Sequence, residues 1–274
     1  MKIPFVYSGN KGISPIVKSQ ANSLKNKAIG LEVFSINGQG LSGYKKITTV
    51  ASLMGSDTYQ SKLMKSTIRY FANYRWSKTI VKSEDMKIRL GLNNAIILPN
   101  GVDIELFRPL DKKECRNKLE WEWDKKYILF ASNPARPEKN FSLAKQTVKN
   151  LNNDKIALKV VYGVDHKLIP IYLNASDVLL LTSKWEGSPN IVKEAMACNI
   201  PIVATEVGDI KYLFGNIEGY YYTDPDPNKL VEYINIVLDN DLKPQGRQTI
   251  IDLKLDYDSF VEKLIQLYQE VLLK

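Results

Sequence analysis

The stretch S-K-W-E-G-S-P-N-I-V-K-E-A-M-A, from Ser183 to Ala197, predicts a loop that leads into a helix. It follows the apolar run at residues 177–182, which is short enough to be a buried parallel strand. Ser188 can cap the helix, and Pro189 fits the first turn, where a missing N–H costs nothing. The free N–H groups at such a helix start form a site for a phosphate or another anion.

The predicted helix is apolar from Ile191 to Cys198, except for Lys193 and Glu194, so most of its surface is expected to be buried. A buried carboxylate needs a partner, and adjacent residues such as Lys193 and Glu194 do not face each other on a helix. One interpretation is that Glu194 forms a structural salt bridge to another helix. The alternative is that Glu194 accepts hydrogen bonds from the hydroxyls of a ligand.

A second carboxylate, Glu186, stands eight residues before Glu194, in the loop at the mouth of the helix. Glu194 lies five residues past Pro189, which is about 7.5 Å along the helix axis. The two carboxylates therefore bracket the predicted anion site. This arrangement suits a ligand with hydroxyls on both sides of a phosphate, such as a nucleotide sugar.

These residues resemble glycosyltransferase family 4 (group 1), whose members are retaining glycosyltransferases with the GT-B fold. Glu186 and Glu194 match the E-x7-E pattern of that family, within a longer E-G-x-P-x-x-x-x-E-A-M-A motif. The resemblance implies that Glu194 holds the nucleotide ribose and that Glu186, taken as catalytic, contacts the donor sugar. It further implies that the donor contacts the segment between them, which consists of Gly187, Ser188, Pro189, Asn190 and Ile191. In that family the N–H groups after the proline approach the diphosphate or the sugar.

The resemblance extends to other loops of the proposed donor site. In this family an Arg and a Lys neutralise the donor diphosphate; Lys139 aligns with the lysine, and Arg136 is taken as the arginine although it stands two positions late. The alternative for both is a solvated, helix-capping loop. Tyr162 and Gly163 fall in the base-contacting loop, and Gly12 falls in a glycine loop that faces the diphosphate. The alternative for Gly12 is an ordinary turn glycine.

The fold class implied is α/β, a GT-B protein with two Rossmann-like lobes that face a cleft and a shortened N-terminal lobe. Independently, strands expected near 127–132, 156–161, 177–182 and 200–204 alternate with helices, which predicts a doubly wound parallel sheet. We expect three parts: an acceptor-binding lobe at 1–108, a nucleotide-sugar lobe at 109–256, and a helix at 257–274 that returns to the first lobe.

The first lobe departs from the family pattern. It spans 1–108, where ~150 residues would be expected for a full domain, and the strand and loop that usually carry an I-H-x-H-type sequence are absent. Met54 stands where the family often has a histidine, and methionine cannot hydrogen-bond a sugar or move a proton. Asp57 is the remaining catalytic candidate, and its alternative is an Asx turn or a helix cap. We therefore expect transfer to be impaired more than donor binding.

The charge is concentrated in the first part of the chain. Residues 1–108 hold 16 Lys and Arg against 6 Asp and Glu, whereas the remaining residues hold 22 against 24. This basic half predicts a polyanionic partner, and without a nucleic-acid motif an anionic membrane surface is preferred to nucleic acid. A helix expected near 60–76, with Lys62, Lys65 and Arg69, could lie on a membrane; the alternative is an ordinary sheet-covering helix.

The amino-acid composition also indicates the cellular location of the protein and the cofactors to be expected. No apolar run approaches the ~20 residues of a membrane span, and the two cysteines, Cys115 and Cys198, make no disulfide framework. We therefore expect a cytoplasmic protein, peripheral on the inner face of the membrane. With no Cys/His cluster, no metal and no cofactor are expected, because the nucleotide sugar is a substrate. His166, the single histidine, is predicted to have a surface role.

The resemblance predicts a hexosyltransferase that moves a sugar from a nucleotide-diphosphate donor to a hydroxyl of a carbohydrate or lipid-linked acceptor. It further implies retention of configuration and a place in bacterial surface polysaccharide or glycolipid synthesis. Two alternatives remain open. One is a nucleotide-sugar-binding pseudoenzyme without transfer, and the other is a peripheral membrane interaction protein on the same fold.

Overall fold

A computed structural model describes residues 2–7, 32–37 and 50–272 of this protein. The chain divides into two compact units: the first runs from Met1 to Gly101 and resumes at Lys254, and the second is the continuous stretch Val102–Leu253. The expected boundaries after residues 108 and 256 thus lie seven and three residues beyond the observed divisions. Which unit binds donor and which binds acceptor stays a prediction. Gly12 and its glycine loop lie outside the described residues.

The described strands are β1 Lys2–Tyr7, β2 Glu32–Asn37, β3 Val50–Ser52, β4 Lys78–Val81, β5 Ile96–Ile97, β6 Lys126–Phe130, β7 Ile156–Val160, β8 Val178–Leu181, β9 Ile202–Thr205 and β10 Tyr220–Thr223. The α-helices, numbered within the described residues, are α1 Lys62–Tyr74, α2 Glu84–Leu90, α3 Lys112–Lys118, α4 Phe141–Asn150, α5 Ile169–Ala175, α6 Asn190–Ala197, α7 Ile210–Phe214, α8 Pro227–Asp239, α9 Gly246–Asp252 and α10 Tyr257–Leu272. The four strands expected in the second lobe are confirmed, with their ends within two residues of those expected.

In the first unit, β1 pairs in parallel with β2, and β3, β4 and β5 form a separate parallel ladder in that order. The long C-terminal helix α10 completes this unit. Its apolar face packs Phe260, Val261 and Leu264 against Ile80 and Leu98 of the ladder region. An amphipathic helix is held in this way by its buried face rather than by its intrinsic propensity.

The second unit contains one five-stranded parallel sheet in the order β10-β9-β8-β6-β7. Its core includes Ile128, Val178 and Val203 from neighbouring strands, which pack with helix side chains such as Leu230 and Ile234 of α8. The first and third strands of the unit, β6 and β8, are direct neighbours. The strand order therefore reverses between β6 and β8, and doubly wound folds bind ligands beside the carboxyl ends of strands at such a point.

None of the described helices is both long enough and apolar enough to cross a membrane.

Candidate functional site

The loops that follow β6 and β8 meet at the point where the strand order reverses. A pocket there is lined by Ser132 and Lys139 from the loop after β6, by Ser183 from the loop after β8, and by Ile191 of α6. Both loops leave the carboxyl ends of adjacent parallel strands, where we predicted the donor-binding residues.

At the centre of the site, Lys139 and Glu186 form an ion pair. The Lys139 Nζ donates to Glu186 Oε1 at 2.5 Å, and the Ser183 hydroxyl donates to the same oxygen at 2.7 Å. The Lys139 and Glu186 side chains are each 16% exposed, so the pair is partly shielded from water and stronger than a surface ion pair. The residues predicted to contact the diphosphate and the donor sugar are thus brought together.

Hydrogen bonds to backbone carbonyl oxygens hold the two loops together. The Thr182 hydroxyl donates to the carbonyl oxygens of Lys139 and Asn140 at 3.0 and 3.1 Å, and the Lys184 amide donates to the Glu138 carbonyl oxygen at 2.8 Å. Side chains held on fastened loops keep their relative positions before a ligand arrives, which lowers the cost of binding.

Arg136 does not join the Lys139–Glu186 pair in this structure. Its Nε donates to Glu138 Oε1 at 2.6 Å, and its side chain is 55% exposed. The guanidinium that we predicted to bind the diphosphate is thus paired with Glu138. The diphosphate role of Arg136 stays a prediction.

Helix α6 begins at Asn190, with Pro189 in the N-cap position and no side-chain cap. The prediction that Ser188 caps this helix is therefore wrong. The Ser188 hydroxyl instead accepts a hydrogen bond of 2.9 Å from Nζ of Lys193, which is fully buried and needs a partner there. The helix start keeps its N–H groups free of a side-chain cap, as an anion site requires. The Asn190 side-chain oxygen is also buried there without a hydrogen-bond partner in the described part of the chain.

Asp209, which no sequence motif indicated, is the acidic neighbour of Lys193. Burial lowers the pKa of Lys193 to about 8, although the charges of Asp209 and Glu194 act in the opposite direction. Burial likewise raises the pKa of Asp209 to about 6, opposed chiefly by the positive charge of Lys193. A buried lysine, serine and aspartate thus lie directly behind the start of α6.

The loop after β9 supports the site from behind through Gly208. This glycine has a φ of +59°, and a Cβ placed on it would lie 2.5 Å from the Gly187 carbonyl oxygen and 3.2 Å from that of Glu186. Only glycine allows the two backbones to approach so closely. Gly208 therefore fixes the position of the loop that carries Glu186.

Glu194 pairs with His166, the single histidine of the chain. The distance from His166 Nε2 to Glu194 Oε1 is 2.9 Å, and the His166 ring lies 5.1 Å from the Phe107 ring. The hydrogen bond with Glu194 raises the pKa of His166, although burial opposes the rise. His166 is thus only partly on the surface, with 26% of its side chain exposed, and its predicted surface role stays a prediction. Glu194 thus has an ion-pairing partner on a separate element, the short 3-10 turn His166–Leu168. The ribose role of Glu194 stays a prediction.

The remaining candidates lie in two places. Tyr162, with 54% of its surface exposed, and Gly163 follow β7 in the loop that leads to His166. In the first unit, Asp57 Oδ2 accepts a hydrogen bond of 2.7 Å from the Met54 amide, which is the geometry of a helix cap. Burial raises the pKa of Asp57. The catalytic role of Asp57 stays a prediction.

Parts of the chain are similar to known glycosyltransferases. Residues 156–252 match the family described as glycosyl transferases group 1. The chain is similar to a Bacillus subtilis (strain 168) protein named as the teichuronic acid biosynthesis glycosyltransferase TuaC, with 25% identity over 194 residues, or 62% of this chain and 50% of that protein. It is also similar to the Escherichia coli UDP-Gal:alpha-D-GlcNAc-diphosphoundecaprenol alpha-1,3-galactosyltransferase, with 28% identity over 152 residues, or 44% of this chain and 38% of that enzyme. The chain thus spans half or less of these two relatives.

Among solved structures, Anabaena HepE in complex with UDP superposes with a TM-score of 0.75 at 16% identity, covering 98% of this chain and 100% of that one. This likeness shows the fold. The predicted fold class, an α/β protein of the GT-B type, is confirmed. The shortened extent of the N-terminal lobe stays a prediction.

Proposed function

We propose that this chain is a glycosyltransferase that moves a sugar from a nucleotide-diphosphate donor to a hydroxyl of a carbohydrate or lipid-linked acceptor. The observation that carries the proposal is the Lys139–Glu186 pair beside the uncapped start of α6. This site combines a cation and free N–H groups for a diphosphate with carboxylates for sugar and ribose hydroxyls. The names of the relatives, which include a galactosyltransferase that uses UDP-Gal, support the same reaction class.

In the proposed reaction, Lys139 and the first N–H groups of α6 stabilise the negative charge that builds on the leaving diphosphate. Such preorganised stabilisation is usually the largest single contribution to catalysis. Glu186 exchanges its present partners for hydroxyls of the donor sugar. Because Lys139 and the helix start supply positive charge, the proposal includes no metal and no cofactor.

The finer assignments are part of the same proposal. The E-x7-E motif supports membership of family 4 and retention of configuration. The relatives named for teichuronic acid and for a diphosphoundecaprenol-linked sugar support synthesis of a bacterial surface polysaccharide or glycolipid. A shortened acceptor lobe at 1–108 would lower turnover more than donor affinity, because transfer requires both reactants to be positioned.

The first test is a thermal-shift screen of nucleotides and nucleotide sugars, followed by a transfer assay with the best donor. A ligand at 100 times its Kd stabilises a protein by about 2.7 kcal/mol, which is readily detected. If no nucleoside diphosphate or nucleotide sugar raises the melting temperature, the proposed donor site is contradicted.

A second candidate function, nucleotide-sugar binding without transfer, is favoured by the contact of Asp57 with the Met54 amide, because that carboxylate acts as a cap. The Asp57→Asn variant keeps an oxygen that can accept the Met54 N–H, and therefore keeps the cap. Donor binding with neither transfer nor donor hydrolysis in the unmodified chain supports this second function. Turnover that is lost in Asp57→Asn, at unchanged stability, contradicts it.

The two glutamates should have separable roles. Glu194→Ala should weaken the binding of free nucleotide by ~1.5–3 kcal/mol, the range for hydrogen bonds to a charged group. Glu186→Ala should spare free nucleotide and weaken only the sugar-bearing donor. Calorimetry with both ligands measures this difference, and equal losses of both variants on free nucleotide would contradict the division.

Lys139 and Arg136 form a matched pair of cations on one loop. Lys139→Met should weaken the binding of a nucleoside diphosphate by ~1.5–3 kcal/mol, because Lys139 faces the site. Arg136→Met should cost less than about 1 kcal/mol, because its exposed side chain pairs with Glu138. Calorimetry on both variants decides the matter. A loss in Arg136→Met as large as in Lys139→Met would instead support the diphosphate role of Arg136.

We further propose an anionic membrane surface as a partner of the first unit, and with it a cytoplasmic location on the inner face of the membrane. Helix α1 buries Ile68, whereas Leu63, Tyr70 and Tyr74, which recur at helical spacing on the opposite face, are 79%, 52% and 75% exposed. The same helix carries three basic residues, of which Lys62 and Arg69 lie to one side of this apolar face and Lys65 lies behind it. Apolar and basic side chains together are typical of helices that lie on anionic lipid.

Changing Lys62, Lys65 and Arg69 together to Ser should weaken binding to anionic vesicles by up to about 3 kcal/mol, at ~1 kcal/mol for each basic residue near the surface. Vesicle flotation at low and high salt measures the loss, which should shrink as salt screens the charges. The control removes the same charge from the second unit by changing exposed lysines to Ser: Lys145, Lys149 and Lys155. If both triple variants lose binding equally, α1 is not the membrane face.

A further inference from the structure

The pairing of His166 with Glu194 connects a titratable side chain to the carboxylate that the proposed function assigns to ribose. His166 lies just before α5, on a short turn at His166–Leu168. Its Nε2 is 2.9 Å from Glu194 Oε1, and its ring packs against Phe107. The His166 side chain is 26% exposed, whereas that of Glu194 is 7% exposed. Glu194 thus has little access to water, and His166 occupies one of its two oxygens.

We propose that His166 and a hydroxyl of the nucleotide compete for the Glu194 carboxylate, so that nucleotide binding releases a proton from His166. This inference rests on the proposed function, in which Glu194 holds the ribose. The imidazolium adds the attraction of opposite charges to its hydrogen bond with the Glu194 carboxylate, so the charged imidazole is the stronger competitor for Glu194. After deprotonation the ligand hydroxyl competes with an uncharged imidazole N–H, which lacks that attraction. Because part of the His166 side chain is exposed, water can solvate the released imidazole.

The charges around His166 favour its protonated form in the free protein. Glu194 faces it from α6, Asp103 from the segment that also carries Phe107, and Asp165 from its own turn, and all three act to raise the pKa of His166. Burial opposes them, but the net direction is upward. A ligand hydroxyl that replaces His166 as the hydrogen-bond partner of Glu194 removes the largest of these contributions. The pKa of His166 therefore falls in the complex.

The sign of the linkage follows from this difference. The free protein holds the proton on His166 more tightly than the complex does, so acid favours the free protein and weakens nucleotide binding. The effect is confined to the pH range between the two pKa values of His166. One proton changes the affinity by at most about tenfold for each pH unit in that range.

Because the chain has a single histidine, one imidazole resonance in a proton NMR spectrum of the untagged protein reports this equilibrium directly. We would titrate that resonance with and without the most stabilising of UDP, ADP, GDP and CDP. The midpoint should lie above ~6.5 in the free protein and fall when the nucleotide is bound. The negative charge of bound phosphate would raise the midpoint. A fall in the midpoint therefore identifies the loss of the hydrogen bond between His166 and Glu194.

Variants test the pair itself. Glu194→Gln should lower the midpoint of His166 in the free protein. Asp165→Asn, the matched control, removes an equal charge from the same surroundings without breaking the 2.9 Å contact, and should lower it less. In calorimetry the nucleotide should bind roughly threefold or more weakly at pH 6 than at pH 8. This ratio is first divided by the same ratio for His166→Gln, which measures the titration of the phosphate.

The outcomes separate this inference from the function on which it rests. If a nucleotide binds but the His166 midpoint stays or rises, the competition is wrong and the glycosyltransferase proposal is unaffected. If Glu194→Gln and Asp165→Asn shift the midpoint equally, the direct pairing is wrong. If no nucleoside diphosphate binds, the proposed function fails, and the competition fails with it.

Discussion

Replacing Gly208 with alanine is expected to destabilise the second unit by about 2–5 kcal/mol and to remove most of its nucleotide affinity. The new Cβ would lie 2.5 Å from the Gly187 carbonyl oxygen, closer than real Cβ atoms approach, and 3.0 Å from the carbonyl carbon. The left-handed backbone of Gly208 adds about 1–2 kcal/mol of strain for alanine, and overpacking adds about 1–3 kcal/mol. Because the obstacle is backbone, Gly187 and Glu186 must move. Gly187 leads directly into the start of α6, so this movement would displace the N–H groups that the proposed function assigns to the diphosphate.

Gly91→Ala is the matched control for this prediction. Gly91 has a similar φ of +65°, but the nearest atoms to its Cβ belong to the flexible Arg69 side chain at 3.5 Å. It should therefore show the backbone strain without the clash and should leave nucleotide affinity unchanged. Urea unfolding and calorimetry measure both variants. Equal losses of stability and affinity in the two variants would show that backbone strain, rather than contact with Gly187, is responsible.

Replacing Lys193 with methionine is expected to lower the free energy of unfolding by about 3–5 kcal/mol, because it leaves Asp209 buried without its opposite charge. The double variant Lys193→Met with Asp209→Asn should recover much of this loss, since two neutral side chains avoid the buried charge. Urea unfolding of the two variants and the unmodified chain measures the recovery. A double variant that is no more stable than Lys193→Met would contradict the pairing.

The loss in Lys193→Met should also depend on pH. Burial raises the pKa of Asp209 to about 6, above its ordinary value, so the folded protein holds this proton more tightly than the unfolded chain. Acid therefore stabilises the fold through Asp209, and the benefit disappears as pH rises through the folded pKa. Removing Lys193 raises that pKa further. The loss should be smaller at pH 5 than at pH 8, and a loss independent of pH would contradict a charged Asp209 as its cause.

The sequence predicted the centre of the site because its signals are local. The apolar run before Ser183 forms β8, and the helix after Pro189 forms α6, as their patterns indicated. The meeting of Lys139 with Glu186 also followed, because both stand in loops at the carboxyl ends of strands in one sheet. A long motif on a parallel sheet therefore predicts the strand and helix that it forms. It also predicts that the loops after the strands meet at the carboxyl edge of the sheet.

The sequence did not predict the contacts that depend on packing between distant loops. His166 stands in a turn without periodicity, and its position beside Glu194 follows from the packing of α5 next to α6. Asp209 follows a different strand, and no local pattern connects it with Lys193. Ser188 was expected to cap α6, but its hydroxyl instead accepts a hydrogen bond from the buried Lys193, which needs an acceptor. In each case a three-dimensional neighbour, rather than the chain neighbour, decides the role.

The discontinuity of the first unit has a consequence for the order of biosynthetic folding. The second unit is one continuous stretch, Val102–Leu253, so all of its strands have been synthesised before α10 begins. The first unit takes much of its core from α10, at Tyr257–Leu272. On a ribosome, domains generally fold in the order of synthesis. Here the amino-terminal residues must wait, with an apolar sheet face still uncovered, until the second unit has been made, so the first unit is the last to be completed.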